Sequence, residues 1–184
     1  YALDQTTAAE VYRPATGYMA SFDSGGFTVN SGSSNPNNYN GSGLTYVAWN
    51  WKANGSGVSN TAGTISSTVS ANTSAGFSVV TYTGNGVAGA TVGHGLGVAP
   101  SMIIVKRRNS TSQWPVYHIS MGNTNVCWMD STAAAISTAN AWNNTSPTSS
   151  VFTIGAGSDV NTNGVSEVAY CFAPVAGYSQ FGSY

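Results

Sequence analysis

The sequence predicts an all-β protein: an antiparallel sandwich of two sheets, jelly-roll or concanavalin-like, with roughly ten short strands. Three observations carry this. Apolar and polar residues alternate with the two-residue period of a strand in segment after segment. Turn formers, 22 Gly and 6 Pro among them, are scattered between those segments rather than gathered in one tract. Convincing helical stretches are almost absent. An immunoglobulin-like sandwich fits less well, because strand number and length run high.

Residues 1–20 carry no strong pattern: Ala8, Ala9, Glu10 and Val11 are too few for a helix, and Pro14 and Gly17 interrupt them. This opening reads as irregular or as a sheet edge. Phe27-Thr28-Val29 then starts a strand, and a Gly/Ser/Asn loop leads to a second strand over residues 44–51, with Thr45, Val47, Trp49 and Trp51 on one side. The arrangement returns near the C-terminus as Phe152-Thr153-Ile154, a loop, and a strand over residues 165–172 with Ser166, Val168, Tyr170 and Phe172 on the matching side. This echo suggests two equivalent strands together near the sheet centre, with Trp49, Trp51, Tyr170 and Phe172 in the core. On that reading Trp49→Ala costs about 3 to 5 kcal/mol through cavity formation.

Between the two copies, residues 63–69 read as a short strand and residues 76–83 as a stronger one, punctuated by Gly84-Asn85-Gly86. Residues 91–100, with His94 between Gly93 and Gly95, read as a turn-rich connector into a strand over residues 101–108. There Met102 and Ile104 alternate with Ile103 and Val105, so both faces begin apolar. The strand is expected to be central, becoming solvent-facing only at its charged end. Residues 114–119 and 126–129 give two more strands. Residues 131–141 fit one helical turn or an irregular excursion, with Ser131 or Asp130 as its cap.

The chain has 184 residues with 5 Lys+Arg and 6 Asp+Glu, a formal net charge of -1. Its 6% charged residues compare with roughly 25% in an ordinary globular domain. The surface must therefore be built of Asn, Ser, Thr and Gly, which suits repeated turns and close subunit packing. Apolar residues at 41%, including 5 Trp, 10 Tyr and 6 Phe, suffice for a substantial core. The length fits a single β-sandwich domain over residues 1–184, and Tyr1 in place of an initiator Met marks it as part of a longer or processed polypeptide. No apolar run is long enough for membrane insertion. Cys127 and Cys171 read better as small hydrophobes in strands than as a bridge. The sequons at Asn40, Asn54, Asn72, Asn109, Asn143 and Asn144 are what chance gives in a chain so rich in Asn, Ser and Thr.

Candidate chemistry is sparse, and no catalytic residue set, cofactor motif or metal-ligand set is predicted. The carboxylates are Asp4, Glu10, Asp23, Asp130, Asp159 and Glu167; Glu167 falls opposite the inferred aromatic stripe and the rest fall in loops or termini, a poor basis for a glycosidase pair. His94 and His118 lack metal-ligand spacing. His94 reads as a turn residue held by a ring hydrogen bond, and His118 as a satisfied sheet residue. No serine or cysteine has the setting of a nucleophile. Asp159, Asn161 and Asn163 alternate as oxygen ligands of the kind Ca2+ takes, but the same residues make an ordinary Asx-turn loop, the preferred reading. Lys106, Arg107 and Arg108 form the strongest local charge, too narrow for a nucleic-acid surface and better read as a solvated strand end or a subunit salt bridge. Tyr39, Trp142 and Tyr178 lie outside the strands and are the candidates for stacking on glycan rings, against the rival reading that they pin loops to the core.

Several motifs together resemble a known family. They are Tyr46-Val47-Ala48-Trp49, residues 76–86, the Val92 to Pro100 stretch around His94-Gly95-Leu96-Gly97, Ile103-Ile104-Val105-Lys106-Arg107-Arg108, and the closing Tyr170-Cys171-Phe172-Ala173-Pro174. Spanning most of the chain, they are similar to an uncharacterised domain of marine bacteriophage tail-fibre-like and other virion structural proteins. Asn50 departs from it where a Cys or other small residue is expected. The resemblance implies a lectin-like or laminin-G-like sandwich without agreed enzymatic activity, located in the virion. It implies a non-enzymatic tail-fibre, spike or capsid-surface module that forms homo-oligomers and meets other virion proteins. The alternative is a host-attachment module that binds surface carbohydrate.

Overall fold

The computed structural model describes residues 14–15, 17–33 and 40–184, which divide between two compact units, one running up to residue 50 and the other from residue 51 to the C-terminus. The first unit holds a hairpin of β1 (Tyr18–Asp23) and β2 (Gly26–Asn30). Its register places Phe22 opposite Phe27 and Asp23 opposite Gly26, with a bulge between Met19 and Ser21. The Asp23 carboxylate accepts hydrogen bonds from Thr28 and Ser21, each 2.8 Å, and these hold its pKa below the usual carboxylate value. Among the described residues strand structure begins at Tyr18, inside the stretch expected to be irregular or a sheet edge.

In the second unit an eight-stranded antiparallel sheet runs β10 (Ile136–Ser137), β9 (Asn125–Trp128), β8 (Pro115–His118), β7 (Met102–Arg107), β12 (Ser166–Phe172), β5 (Phe77–Thr83), β4 (Ser67–Asn72), β3 (Val58–Asn60). A separate antiparallel ribbon joins β6 (Ala90–Gly93) to β11 (Val151–Ile154). Two single-turn helices, α1 (Ala139–Trp142) and α2 (Ser158–Asn161), complete the described elements. The domain is all-β and mostly antiparallel, with twelve strands against the rough ten expected.

Strand β12 sits at the centre. It pairs along its length with β5 and along six residues with β7. One face presents Glu167, Ala169 and Cys171, beside Tyr82, Val80 and Ser78 of β5 and Arg107, Val105 and Ile103 of β7. The core forms on this face, where Val80, Ile103, Val105, Ala169 and Cys171 are fully buried and pack with Val92, Phe152 and Ile154 of the ribbon. Tyr82 meets Phe152 edge to face, with ring centroids 6.1 Å apart. A parallel bridge between Ile65 and Val92 ties the ribbon to the approach of β4.

The opposite face of the sheet ends in an aromatic cluster. Phe77 and Phe172 pair across strands at 5.0 Å, with Trp51 at 5.5 Å and Phe181 at 6.4 Å from Phe172.

Several expectations are corrected here. Residues 44–51 form no strand, although the period-two pattern is clear. Both edges of β12 are taken by β5 and β7, so the expected adjacency of the two echoed segments does not occur. Of the four rings assigned to the core only Phe172 is buried; Tyr170 is half-buried, Trp51 is exposed yet touches Phe172 and Phe77, and Trp49 is 74% exposed. Residues 91–100 are not all connector, since β6 runs through Gly93.

The strand over residues 102–107 is central but does not turn to solvent at its charged end, because Lys106 is buried. Its ammonium lies 3.3 Å from the Ser112 hydroxyl and 5.8 Å from the centre of the Trp114 ring, which substitute for water. The helical turn begins later than expected. Its cap is Thr138, whose side chain accepts from the Asn140 N–H, rather than Ser131 or Asp130.

The thiols of Cys127 and Cys171 are free. They lie on opposite faces of the sheet with β8 and β7 between their strands, roughly 14 Å at the usual strand spacing, beyond disulfide reach.

Burial predicts the mutational response. Trp142 is 1% exposed and packs edge to face on Tyr117 at 5.9 Å, so Trp142→Ala is expected to cost about 3 to 5 kcal/mol in urea unfolding. Trp49→Ala is expected to cost less than about 1 kcal/mol in the same measurement.

Candidate functional site

Of the three aromatic residues singled out for glycan contact, the two that are described do not share a rim. Tyr39 lies outside the described residues. Trp142 is a core residue of α1 and is not at a rim, because the single helical turn carries Ala141 and Trp142 inward. Tyr178 is 71% exposed at the tip of a tight turn closed by hydrogen bonds to the Val175 carbonyl from the N–H groups of Tyr178 and Ser179.

The histidines follow their structural readings. His94 is buried; its Nε2 lies 3.1 Å from the Thr148 carbonyl and its Nδ1 accepts from the Leu96 N–H at 3.2 Å. Burial holds its pKa below the ordinary value, so the ring stays neutral. His118 Nδ1 accepts from the Ser120 N–H.

The proposed Ca2+ ligands are dispersed by the fold. Residues 158–161 form the α2 turn and not an Asx-turn loop, and Asn161 is consumed structurally. Its Oδ1 accepts from the N–H groups of Asn85 and Gly86 at 2.9 and 3.2 Å, while its Nδ2 donates to the carbonyls of Val87 and Gly155, both 2.9 Å. With that oxygen occupied, the alternating set is broken at its middle member. Among the described residues no group of three or more His, Cys, Asp or Glu stands together as a metal site.

The structure gathers instead a cleft that the sequence reading missed, with a volume of about 210 Å³, between the end of β9, β10 and the turns α1 and α2. Its walls include Trp128, Ile136, Thr138, Asn140, Ser158 and Asp159. Trp128 is half-buried and packs against the core, which fixes its ring. The two helical turns are joined through the loop before α2: Gly155 N–H donates to the Ala141 carbonyl and Gly157 N–H to the Asn140 carbonyl, both 2.8 Å. A Cβ at Gly155 would stand 2.3 Å from the carbonyl oxygens of Ala139 and Asn140, and one at Gly157 2.5 Å from that of Asn140. Only glycine permits this approach, so the cleft is held by backbone and its shape does not depend on a ligand.

Arg107 fixes the far side. Its Nε donates to the Ser158 carbonyl at 2.8 Å, its Nη2 donates to the same carbonyl and to Thr162 Oγ1 at 2.7 Å, and the α2 turn is thereby clamped to β7. Engaged in this way, the guanidinium approaches the fully buried Glu167 only to 3.9 Å. Neither Glu167 oxygen has a hydrogen-bond partner. Burial, opposed by Arg107 and reinforced by Asp159, pushes its pKa up to about 8. Its environment thus favours the protonated acid, and Glu167 does not line the cleft, where Asp159 is the sole carboxylate. Lys106 and Arg107, expected as one basic cluster, point to opposite faces of the sheet and form no shared patch.

Over residues 2–184 the chain matches the family described as Domain of unknown function (DUF7483). It belongs to that family. No curated protein and no solved structure matches it. In this DUF7483 domain the chemistry on offer is thus a small preformed cleft with one aromatic wall and neutral or acidic polar groups, beside a separate buried acid.

Glu167 gives a pH prediction. Its folded pKa lies above its unfolded one, so the native state holds an extra proton between about 4.5 and about 8. Stability falls as pH rises across that window, and the loss is complete above the folded value. Glu167→Gln removes the titration, and the variant is expected to exceed the parent by roughly 2 to 5 kcal/mol at pH 9 while nearly matching it at pH 4. Urea midpoints measured across pH provide the check.

Proposed function

We propose that this domain is a non-enzymatic structural module of a virion, a tail-fibre, spike or capsid-surface component that assembles with copies of itself. The observation that carries the reading is the exposed apolar segment at residues 44–49. Leu44, Tyr46, Val47 and Trp49 are all exposed there, in a stretch with no charge. Large apolar side chains gathered at the surface mark an interaction site. A stretch with no charged residue is one that a second copy covers without like-charge repulsion. The chain's scarcity of charge extends the same argument to other neighbours. A two-sheet sandwich of jelly-roll or concanavalin-like form is the finer fold that goes with this reading. It is supported by a core lying between the large sheet and the β6–β11 ribbon.

A second reading, a host-surface carbohydrate-binding module, is favoured by the cleft beside Trp128. Its single carboxylate favours binding over glycosidic hydrolysis, which ordinarily takes a pair of carboxylates flanking the bond. The two readings coexist if the domain stands at a fibre tip.

Self-assembly is tested by light scattering coupled to size exclusion. The parent chain is expected to run as a homo-oligomer, and the double variant Val47→Asp, Trp49→Asp as a monomer with an unchanged melting temperature. A monomeric parent at micromolar concentration, or an undiminished oligomer in the variant, defeats the assembly reading.

A further inference from the structure

We infer that the cleft walled by Trp128, Asn140 and Asp159 is a binding site for one neutral pyranose ring. The inference rests on the carbohydrate-recognition reading and goes beyond it by naming the site and the class of sugar. Size sets the first limit. At about 210 Å³ the cleft lies below the roughly 300–1,000 Å³ of pockets for drug-sized ligands, so the part of a ligand it seats is a single ring.

The chemistry of the walls sets the second. A pyranose has an apolar face of polarised C–H groups and a rim of hydroxyls, and it needs an aromatic face on one side and hydrogen-bonding groups at the edge. Trp128 provides a ring fixed by its packing on the core, and the negative face of an indole attracts polarised C–H. At the rim, the Asp159 carboxylate and the Asn140 side-chain amide make no hydrogen bond or ion pair with the protein among the described residues. A carboxylate with both oxygens open accepts from two neighbouring hydroxyls, and these are charge-assisted bonds. The amide supplies a donor and an acceptor. The nearby Arg107 makes no ion pair with Asp159; its guanidinium donates to Ser158, Thr162 and Thr111 instead.

Charge sets the third limit. The cleft walls contain no Lys or Arg and one Asp, so a uronic or sialic acid would bring its carboxylate to a like charge with no cation in the lining to receive it. A nucleotide meets the same objection through its phosphate. Among ring ligands that stack and hydrogen-bond, the neutral sugar is the one whose groups all find complements.

The test is saturation-transfer NMR on the 184-residue chain with glucose, galactose, mannose and N-acetylglucosamine as neutral probes, and glucuronic acid and adenosine monophosphate as controls. At least one neutral sugar is expected to bind in the millimolar range, with neither control bound comparably. Asp159→Ala, Asn140→Ala and Trp128→Ala are each expected to weaken binding by about tenfold or more, and Tyr178→Ala to leave it unchanged. Because Trp128 also packs on the core, thermal melts accompany every variant, and the polar-side variants decide the matter if Trp128→Ala does not fold. No binding of any neutral sugar by the parent chain defeats the carbohydrate reading itself. Sugar binding that survives Asp159→Ala and Asn140→Ala, or that is lost only in Tyr178→Ala, leaves that reading standing and overturns the cleft as its site. Preferential binding of glucuronic acid or adenosine monophosphate overturns the assigned ligand class.

Discussion

The two-sided pairing of β12 is the constraint on which the larger unit depends. A strand hydrogen-bonded along both edges and covered on both faces must place a side chain that tolerates burial at nearly every position. Val168, Ala169, Cys171 and Phe172 meet that demand through size and apolarity. Glu167 meets it by keeping its proton, since the ionised form has neither water nor a hydrogen bond within reach. Arg107 lies opposite it in the register and is the obvious counter-charge, yet its donors are turned to the α2 turn. The sheet thereby exchanges a buried ion pair, whose desolvation penalty often exceeds its attraction, for a neutral acid and a clamp on the segment that forms one side of the cleft.

Much of this architecture was legible as period-two alternation. The strands now seen at Phe77–Thr83, Met102–Arg107, Pro115–His118, Asn125–Trp128 and Ser166–Phe172 all fall in segments read as strands, Ser166–Phe172 by its alternation and Met102–Arg107 by an apolar run with both faces covered. Residues 44–51 alternate as well and are not a strand. The pattern reports what a segment would tolerate in a sheet, and pairing depends on whether an edge is free. The echo between the two segments was read as adjacency, but β12 has two edges and β5 and β7 hold both. Lys106 misled for a related reason. A charge at a strand end is usually solvated, but its long stem lets it lie buried where Ser112 and Trp114 receive the ammonium.

The aromatic residues divide along the same line. Trp142 looked like a loop residue because the local sequence drew attention to Ala133, Ala134, Ala135 and Ile136 as the seat of a helical turn. The turn forms one step later, after Thr138, and that cap was readable: a Thr immediately before Ala139-Asn140-Ala141-Trp142 is a standard N-terminal signal. Placing the turn correctly would have put Ala141 and Trp142 on its inner side and removed Trp142 from the rim. Trp128, by contrast, sits at the end of a recognised strand and was taken as ordinary sheet. Nothing local distinguishes a strand-end Trp that is sealed into the core from one whose remaining surface walls a cleft. That difference is made by α1 and α2, which follow β9 in the chain and stand beside its end.

Two asparagines show how far residue type underdetermines role. Asn161 and Asn140 both belong to single-turn helices, and both are the kind of residue a polar, charge-poor chain uses freely. Asn161 is fully buried with its oxygen and nitrogen each serving two backbone groups, so it acts as a fastener between the Asn85–Val87 loop and Gly155. Asn140 gives its backbone carbonyl to Gly157 and leaves its side chain toward the cleft. The first stabilises the loop on which the second depends, because Gly155 and Gly157 bring that loop against α1. A rigid frame with its own polar groups satisfied is what allows a few others to remain open to a ligand without the site collapsing onto itself.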